Sequence, residues 1–289
     1  MPTFSMYFNA VYVLESLPAG EPKTGTDLYD QVIAPATYHQ DNLHTEFHHI
    51  ENKSALLLRL LQIARECRRA RRGPLLHIET HGELNGNGIV LQSGEFVSWA
   101  ELKPHLVDLN VVSKLNLLAV ISACSGAQLA QVVKPTDRAP VWGIIGPKTK
   151  ISAADLFVGF SCFYREFLSS LDGRAALNAL NGDTAIAEWP FSFTNAEWFF
   201  GHVYRNYLRK HTADAVLQER EEHIISQLKQ RQSLSTEQER WIRQDAGQRL
   251  RDHRSFFERF RRNFFMIDLF PENVHRFPIQ FSELEEGSA

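Results

Sequence analysis

The chain has 289 residues, of which 44% are hydrophobic and 22% charged, and its formal net charge is −3. These values exclude a wholly disordered chain, a collagen and a coiled-coil rod, and the length suits one large domain or one domain with a smaller appendage. The three cysteines, Cys67, Cys124 and Cys162, cannot all be paired in disulfides. An odd and low count indicates free thiols in a reducing compartment.

The sequence contains no apolar run that approaches the roughly 20 residues of a membrane helix. It begins Met-Pro-Thr-Phe-Ser, without the basic residues that open a signal peptide. We therefore expect a cytoplasmic protein that makes no membrane contact.

The first eighty residues alternate between strand-like and helix-like patterns. Runs rich in β-branched and aromatic residues predict strands, and apolar residues at helical spacing predict one helix with Ser54 at its N-cap. The expected strands are residues 7–14, 45–50 and 74–80, the expected helix is 54–72, and residues 20–26 are expected to form a loop.

The pattern of strand and helix continues beyond His81. A Gly/Asn turn leads to a short strand at 89–91, and Ser98 with Glu101 forms a capping box that predicts a helix start. Residues 115–123 are almost wholly apolar, as in a strand buried on both faces of a parallel sheet. A further strand at 141–145 and helices from about Gln128 and over 153–171 complete an α/β fold with a mostly parallel sheet.

The C-terminal part has a different composition. Between Gly201 and Arg262 there is no proline, and 14 Lys and Arg residues stand against 9 Asp and Glu residues. We therefore divide the chain into a domain of residues 1–200 and a helical C-terminal extension of residues 201–289. Four phenylalanines on one helical face are expected to pack the extension on the domain, with docking of a partner as the alternative: Phe256, Phe257, Phe260 and Phe264.

Two residues with reactive side chains stand at the ends of buried strands. His81 is followed by Gly82, and Cys124 is followed by Ser125 and Gly126. In open α/β sheets ligands bind outside the carboxyl ends of the strands, so an imidazole and a thiol on neighbouring strands would face each other there. A histidine beside a cysteine can accept its proton, and the adjacent glycines allow backbone N–H groups to approach an oxyanion.

Each cysteine and histidine also has a simpler explanation. Cys124 could be a small buried apolar residue, and packing or exposure is the favoured explanation for Cys67 and Cys162. His77 and His81 are spaced as metal ligands on a helix, but they fall on a strand and no further ligands are evident. We expect no metal and no cofactor.

A run of arginines closes the first predicted helix. A solvated helix end, where cations complement the helix dipole, is the favoured explanation, and contact with nucleic acid is the alternative that we do not favour. The run comprises Arg65, Arg68, Arg69, Arg71 and Arg72.

The sequences Thr80-His81-Gly82-Glu83 and Ser122-Ala123-Cys124-Ser125-Gly126 resemble the catalytic motifs of caspase-like cysteine peptidases of clan CD. The resemblance is strongest to their bacterial branch, the CHAT domains, and covers roughly residues 70–170. It implies a caspase-haemoglobinase-like fold. In that fold a mostly parallel central sheet is flanked by helices in a three-layer sandwich.

The same resemblance implies a cysteine endopeptidase that cleaves a protein substrate through an acyl-enzyme. His81 would be the general base and acid, Cys124 the nucleophile, and the backbone N–H groups of Gly82 and Cys124 the oxyanion hole. Such peptidases are often activated by a partner or a signal in bacterial antiviral defence or programmed cell death, so an activating or inhibitory protein partner is also implied. The alternative is an inactive caspase-like adaptor that docks a partner.

The sequence departs from the family after the strand at 141–145. Relatives usually carry acidic residues there that select a basic P1 side chain, whereas this chain carries Lys148 and Lys150, with Asp155 nearby. These three residues are the substrate-binding candidates. Asp155 would favour a basic P1 residue and the lysines an acidic one.

Overall fold

The computed structural model describes residues 7–124, 126–182 and 190–285, so Ser125 of the cysteine motif lies outside the described residues. The chain divides into two compact units. The first consists of Met1–Val133 and Ala139–Ala196, and the second of Lys134–Arg138 and Glu197–Ala289. The composition of the sequence places the change at Gly201, and the contacts place it between Ala196 and Glu197.

The first unit is built on a mostly parallel sheet. The strands lie in the order β2-β1-β3-β6-β7-β8, and every neighbouring pair is parallel except β7 with β8. The short strands β4 and β5 form an antiparallel hairpin attached to the end of β3. The strand bounds are β1 Ala10–Ser16, β2 His44–His49, β3 Pro74–Gly82, β4 Gly88–Val90, β5 Phe96–Ser98, β6 Leu118–Ser122, β7 Gly143–Pro147 and β8 Phe191–Asn195.

Helices of the first unit connect these strands. The longer ones are α3 Lys53–Ala70, α4 Trp99–Val112, α5 Ala153–Ser170 and α6 Gly173–Gly182. Between β1 and β2 the chain forms α1 Thr24–Leu28, a π-helical turn Tyr29–Ile33, α2 Ala34–Ala36 and a 3-10 turn Thr37–His39, and a 3-10 helix Gly126–Val132 follows β6. The helix α7 Ala196–His211 leads into the second unit.

The sheet is covered on both faces. Val11 and Val13 of β1 share a buried cluster with Phe160 and Phe163 of α5. Because side chains alternate along a strand, Tyr12 points to the opposite face, where its hydroxyl lies 3.8 Å from Cys67 Sγ of α3. The fold is therefore α/β with helices on both faces of a mostly parallel sheet, an arrangement compatible with the predicted three-layer sandwich.

Most of the predicted elements are present, with differences at their ends. The capping box of Ser98 and Glu101 is confirmed at the start of α4. The predicted N-cap at Ser54 is wrong, because Asn52 caps α3 by accepting a hydrogen bond from Ala55 N–H at 2.9 Å. The predicted helix after Cys124 is a 3-10 helix that begins at Gly126. The predicted loop at 20–26 overlaps α1, which begins at Thr24.

The second unit is helical and has an aromatic core of its own. Its further helices are α8 Asp214–Arg231, α9 Thr236–Arg251, α10 His253–Phe264, α11 Asn273–Arg276 and α12 Ser282–Glu285. Phe200 contacts the rings of Tyr204, Phe257, Phe264 and Phe265. The predicted phenylalanine face thus has an apolar environment inside this unit, and its packing on the first domain stays a prediction.

Ion pairs join α8 to α9, and one of them involves a buried carboxylate. The buried carboxylate of Glu221 accepts a hydrogen bond from Arg251 Nη1 at 2.8 Å, beside Gly247. A Cβ atom at position 247 would lie 2.8 Å from Glu221 Oε1, so the glycine makes room for the pair.

Within residues 7–124, 126–182 and 190–285, none of the helices combines the length and apolar character of a membrane span.

Candidate active site

The site is formed where β3 and β6 end side by side. These strands are parallel neighbours, and their register runs from Leu75 opposite Leu118 to Glu79 opposite Ser122. His81 and Cys124 are each two residues beyond that last pair. His81 still belongs to β3 and lies on the same face as Glu79, whereas Cys124 lies in the turn that follows β6. The strands that lead to His81 and Cys124 are therefore neighbours in the sheet.

Backbone contact between Gly82 and Cys124 shows how closely the two strand ends approach. A Cβ atom built on Gly82 would lie 1.9 Å from the carbonyl oxygen of Cys124, 2.7 Å from its carbonyl carbon and 2.9 Å from its nitrogen. No side chain fits at this position without displacing Cys124. Glycine after the histidine is therefore a steric requirement of the site.

The N–H group of Gly82 is directed away from the neighbouring hairpin. Glu83 N–H donates to Gly88 O of β4 at 3.0 Å. Because successive N–H groups of a strand point to opposite edges, the Gly82 N–H points away from β4. This orientation leaves it on the side of the strand where β6 lies, as an oxyanion donor requires.

The imidazole of His81 has a carboxylate partner. Its Nε2 lies 2.7 Å from Glu21 Oε2, and the two side chains are 48% and 42% exposed. Glu21 belongs to the segment between β1 and α1, which leaves the same edge of the sheet. A carboxylate at this distance can hold the ring in one tautomer and orientation. The half-exposed ring remains accessible to a ligand.

Buried, hydrogen-bonded side chains precede His81 on the same face of β3. His77 Nε2 donates to Glu79 Oε2 at 2.9 Å, and the hydroxyl of Tyr164 on α5 donates to His77 Nδ1 at 3.1 Å. Burial, and then the nearby Glu79 carboxylate, raise the pKa of Tyr164 well above its usual value, so the hydroxyl keeps its proton. His77 is thus completely buried with both ring nitrogens in hydrogen bonds.

Two buried carboxylates hold the segment that carries Glu21. Glu15 and Glu79 are opposite each other on β1 and β3. Glu79 Oε1 accepts a hydrogen bond from Thr24 Oγ1 at 2.8 Å, and Glu15 accepts from Thr26 N–H and from Thr26 Oγ1, both at 3.0 Å. These bonds tie the start of α1 to the sheet. Glu21 lies three residues before Thr24, so these bonds restrict where its side chain can reach.

The substrate-binding candidates lie one strand further along the edge. Lys148 and Lys150 follow β7 directly and are exposed. Asp155 is also exposed, and its carboxylate accepts a hydrogen bond from Ser152 Oγ at 2.6 Å at the first turn of α5. Asp155 keeps its negative charge while it accepts this bond. Their role in substrate selection stays a prediction.

The three cysteines have different surroundings. Cys67 is completely buried against Tyr12, and burial raises the pKa of its thiol to about 11. Cys124 and Cys162 are both half-buried. Cys124 follows β6 at the sheet edge where β3 carries His81, while Cys162 lies in the middle of α5. Among the described residues, no group of three or more His, Cys, Asp or Glu side chains is arranged to hold a metal ion.

Protein-family models give no match to this chain, and a search of curated proteins finds no similar one. The functional assignment therefore depends on the site's own residues and on the motif resemblance. Glu21 is the site residue that the sequence did not identify. Its only sequence signal is its position shortly after a strand that ends at the same edge.

The burial of Cys67 predicts selective alkylation. At pH 8 a thiol with a pKa of about 11 is roughly 0.1% thiolate, and burial also blocks access, so Cys67 should stay unmodified by iodoacetamide while Cys124 reacts. Peptide mapping by mass spectrometry measures this. The unfolded protein in denaturant, where all three cysteines should react, is the control. Modification of Cys67 at the rate of Cys124 in the folded protein would contradict the assignment.

Proposed function

We propose that the protein is a cysteine endopeptidase in which His81 and Cys124 form the catalytic dyad. The observation that carries the proposal is the fit of Gly82 against the Cys124 backbone, which holds the two strand ends together at the sheet edge where ligands bind. The carboxylate of Glu21 on the imidazole adds a third group of the kind that orients catalytic histidines.

The first half of the reaction forms an acyl-enzyme. His81 takes the proton of the Cys124 thiol, and the thiolate sulfur bonds to the carbonyl carbon of the scissile peptide bond. The carbonyl oxygen becomes an oxyanion, which accepts hydrogen bonds from the N–H groups of Gly82 and Cys124. When the C–N bond breaks, the leaving amine takes its proton from His81.

The second half restores the enzyme. His81 removes a proton from a water molecule, whose oxygen attacks the thioester carbon, and the C–S bond breaks to release the carboxylic acid product. The thiol of Cys124 is regenerated with the proton held by His81. Each step uses side chains of this chain and water alone.

Regulation and specificity follow from the same motif resemblance. We infer activation by a partner or an upstream signal, in a cytoplasmic setting of bacterial defence or programmed cell death. Two exposed lysines, Lys148 and Lys150, stand against the single carboxylate of Asp155, and this balance of charge favours an acidic P1 side chain over a basic one.

Cleavage of a protein or positional peptide library by the purified protein, with candidate activators, tests the proposal. Cys124→Ala and His81→Ala should each reduce the rate by about three orders of magnitude or more, because nucleophile and base act as a unit. Cys162→Ala is the matched control and should cleave like the unmodified protein. Equal cleavage by all four proteins would assign the activity to a contaminant and refute the dyad.

Glu21→Gln should lower kcat about 10- to 100-fold with a smaller change in KM. The amide retains a hydrogen bond but lacks the charge that stabilises the imidazolium formed in each half-reaction. Steady-state kinetics on a cleaved peptide measure the two constants. Glu83→Gln, at a half-buried position two residues from His81, removes a charge as a control. An unchanged kcat for Glu21→Gln would exclude an orienting role.

The alternative function is an inactive caspase-like adaptor. It shares the fold but requires no working thiol, so it predicts that no library peptide is cleaved under any activating condition. In that case partner binding should survive in Cys124→Ala and His81→Ala alike. Cleavage that depends on both residues excludes this alternative.

A further inference from the structure

A basic groove lies at the opposite edge of the sheet from the dyad. The helix α3 ends just before β3 begins, and α4 ends just before β6 begins, so the two helix ends meet at the amino ends of these strands. The groove there has a volume of about 670 Å³, within the range of small-molecule sites. Its described lining is Tyr7, Arg68, Arg71, Arg72, Val112, Ser113, Lys114 and Asn116.

The lining carries positive charge without compensation among its own members. Four of the lining residues are basic and none of those described is acidic. The guanidinium of Arg59 earlier on α3 pairs with Glu46 and Glu66, whereas Arg68 and Arg71 take part in none of the ion pairs between described residues. Like charges that line one groove repel one another. An anionic ligand in the groove would relieve this repulsion.

Two of the basic residues occupy a backbone conformation that favours glycine. Arg71 directly follows α3 with φ 52°, and Lys114 lies two residues after α4 with φ 57°. Glycine usually takes such positions at helix ends, because a residue with a Cβ atom is less stable there. Both helices therefore end on a cation where a residue without a side chain would be more stable.

Interaction with the helix dipoles accounts for only part of this arrangement. The last turn of α3 already contains Arg68 and Arg69, which complement the dipole from ordinary helical positions. The dipole therefore gives no reason for a further cation in a strained position. Arg71 and Lys114 nevertheless converge on one groove, which brings both cations to the same ligand-sized space.

Two lining side chains are held in place for a ligand. Arg72 Nη1 donates to the hydroxyl of Tyr12 at 3.0 Å, which fixes one guanidinium at the groove. Tyr7 is 59% exposed, and its hydroxyl accepts a hydrogen bond from Asn9 Nδ2 at 2.8 Å, which fixes the ring. Guanidinium groups match the geometry of phosphate, and an exposed aromatic ring can stack on a nucleobase.

We propose that this groove binds a nucleotide, with its phosphates on the basic residues and its base on the ring of Tyr7. The volume accommodates one nucleotide with its phosphates. The site is separate from the dyad and does not depend on the peptidase assignment. A nucleotide bound here would contact the ends of both helices that precede the two dyad strands.

Isothermal titration calorimetry of the full chain with ATP, AMP, adenosine and tripolyphosphate tests the proposal. ATP should bind more tightly than AMP, affinity should fall as salt rises, and adenosine should bind weakest because it has no phosphate. Tyr7→Leu should weaken ATP and leave tripolyphosphate unchanged, which separates nucleotide recognition from general anion binding. Equal affinity of tripolyphosphate and ATP, with no effect of Tyr7→Leu, would overturn the nucleotide assignment.

Variants at the helix ends distinguish a ligand site from helix stabilisation. Arg71→Gly and Lys114→Gly remove a charge and also relieve the left-handed backbone, so each should reduce ATP affinity about tenfold without lowering the unfolding midpoint. Arg69→Ala removes a charge from the same helix end outside the groove and should bind ATP normally. Absence of ATP binding at millimolar concentration, or equal losses in Arg69→Ala and Arg71→Gly, would overturn the proposal.

Discussion

The parallel pairing of β3 with β6 is the constraint on which the candidate site depends. It brings the end of β3, which carries His81, beside the end of β6, which leads to Cys124. The register pairs Glu79 with Ser122 at that end. The contact of Gly82 with the Cys124 backbone fixes this register at the point where the chemistry is proposed. Any side chain at position 82 would force the strand ends apart.

Next to His81, on the same face of β3, the protein buries several polar side chains. His77, Glu79 and Tyr164 satisfy one another, and Glu15 and Glu79 each bind a threonine of the chain entering α1. Buried carboxylates are tolerated when their hydrogen bonds are made, and such networks hold their members in one geometry. Here the geometry that they hold includes the segment of Glu21. These hydrogen bonds therefore order the residues next to His81, and Glu21 orients the imidazole through its contact with Nε2.

The sequence predicted the parts of the fold that are governed by local rules. The capping box at Ser98 and Glu101 specifies its own hydrogen bonds. The apolar run before Cys124 is typical of a strand buried on both faces, and β6 pairs with a strand on each side. The helix start at Asn52 was missed because Ser54 is an equally good cap by composition, and the contact with Ala55 decides between them. The edge strand β8 was missed because its partly polar pattern gives a weak strand signal, and pairing with β7 stabilises it.

The functional residues also divide into those that the local sequence reveals and those that only the folded structure brings together. His81 and Cys124 were found because each ends a strand before a glycine, a pattern visible in one dimension. Glu21 was not found, because its contact with His81 joins residues far apart in sequence and depends on where the segment after β1 is anchored. The basic groove combines residues from the ends of two helices and the residue Tyr7 before β1, so the arginine run alone showed only half of it. In both cases the sequence could not show that residues far apart along the chain lie close together in the fold.

The most direct test of the central claim is covalent capture of Cys124 by a peptide with a C-terminal acyloxymethyl ketone, read out by intact mass and peptide mapping. If His81 activates the Cys124 thiol, the protein should gain the mass of one peptidyl group on Cys124, and His81→Ala should gain none under the same conditions. A library of probes with acidic and basic P1 residues covers both sides of the specificity question. Failure of every probe to label Cys124, or equal labelling in His81→Ala, would contradict the dyad.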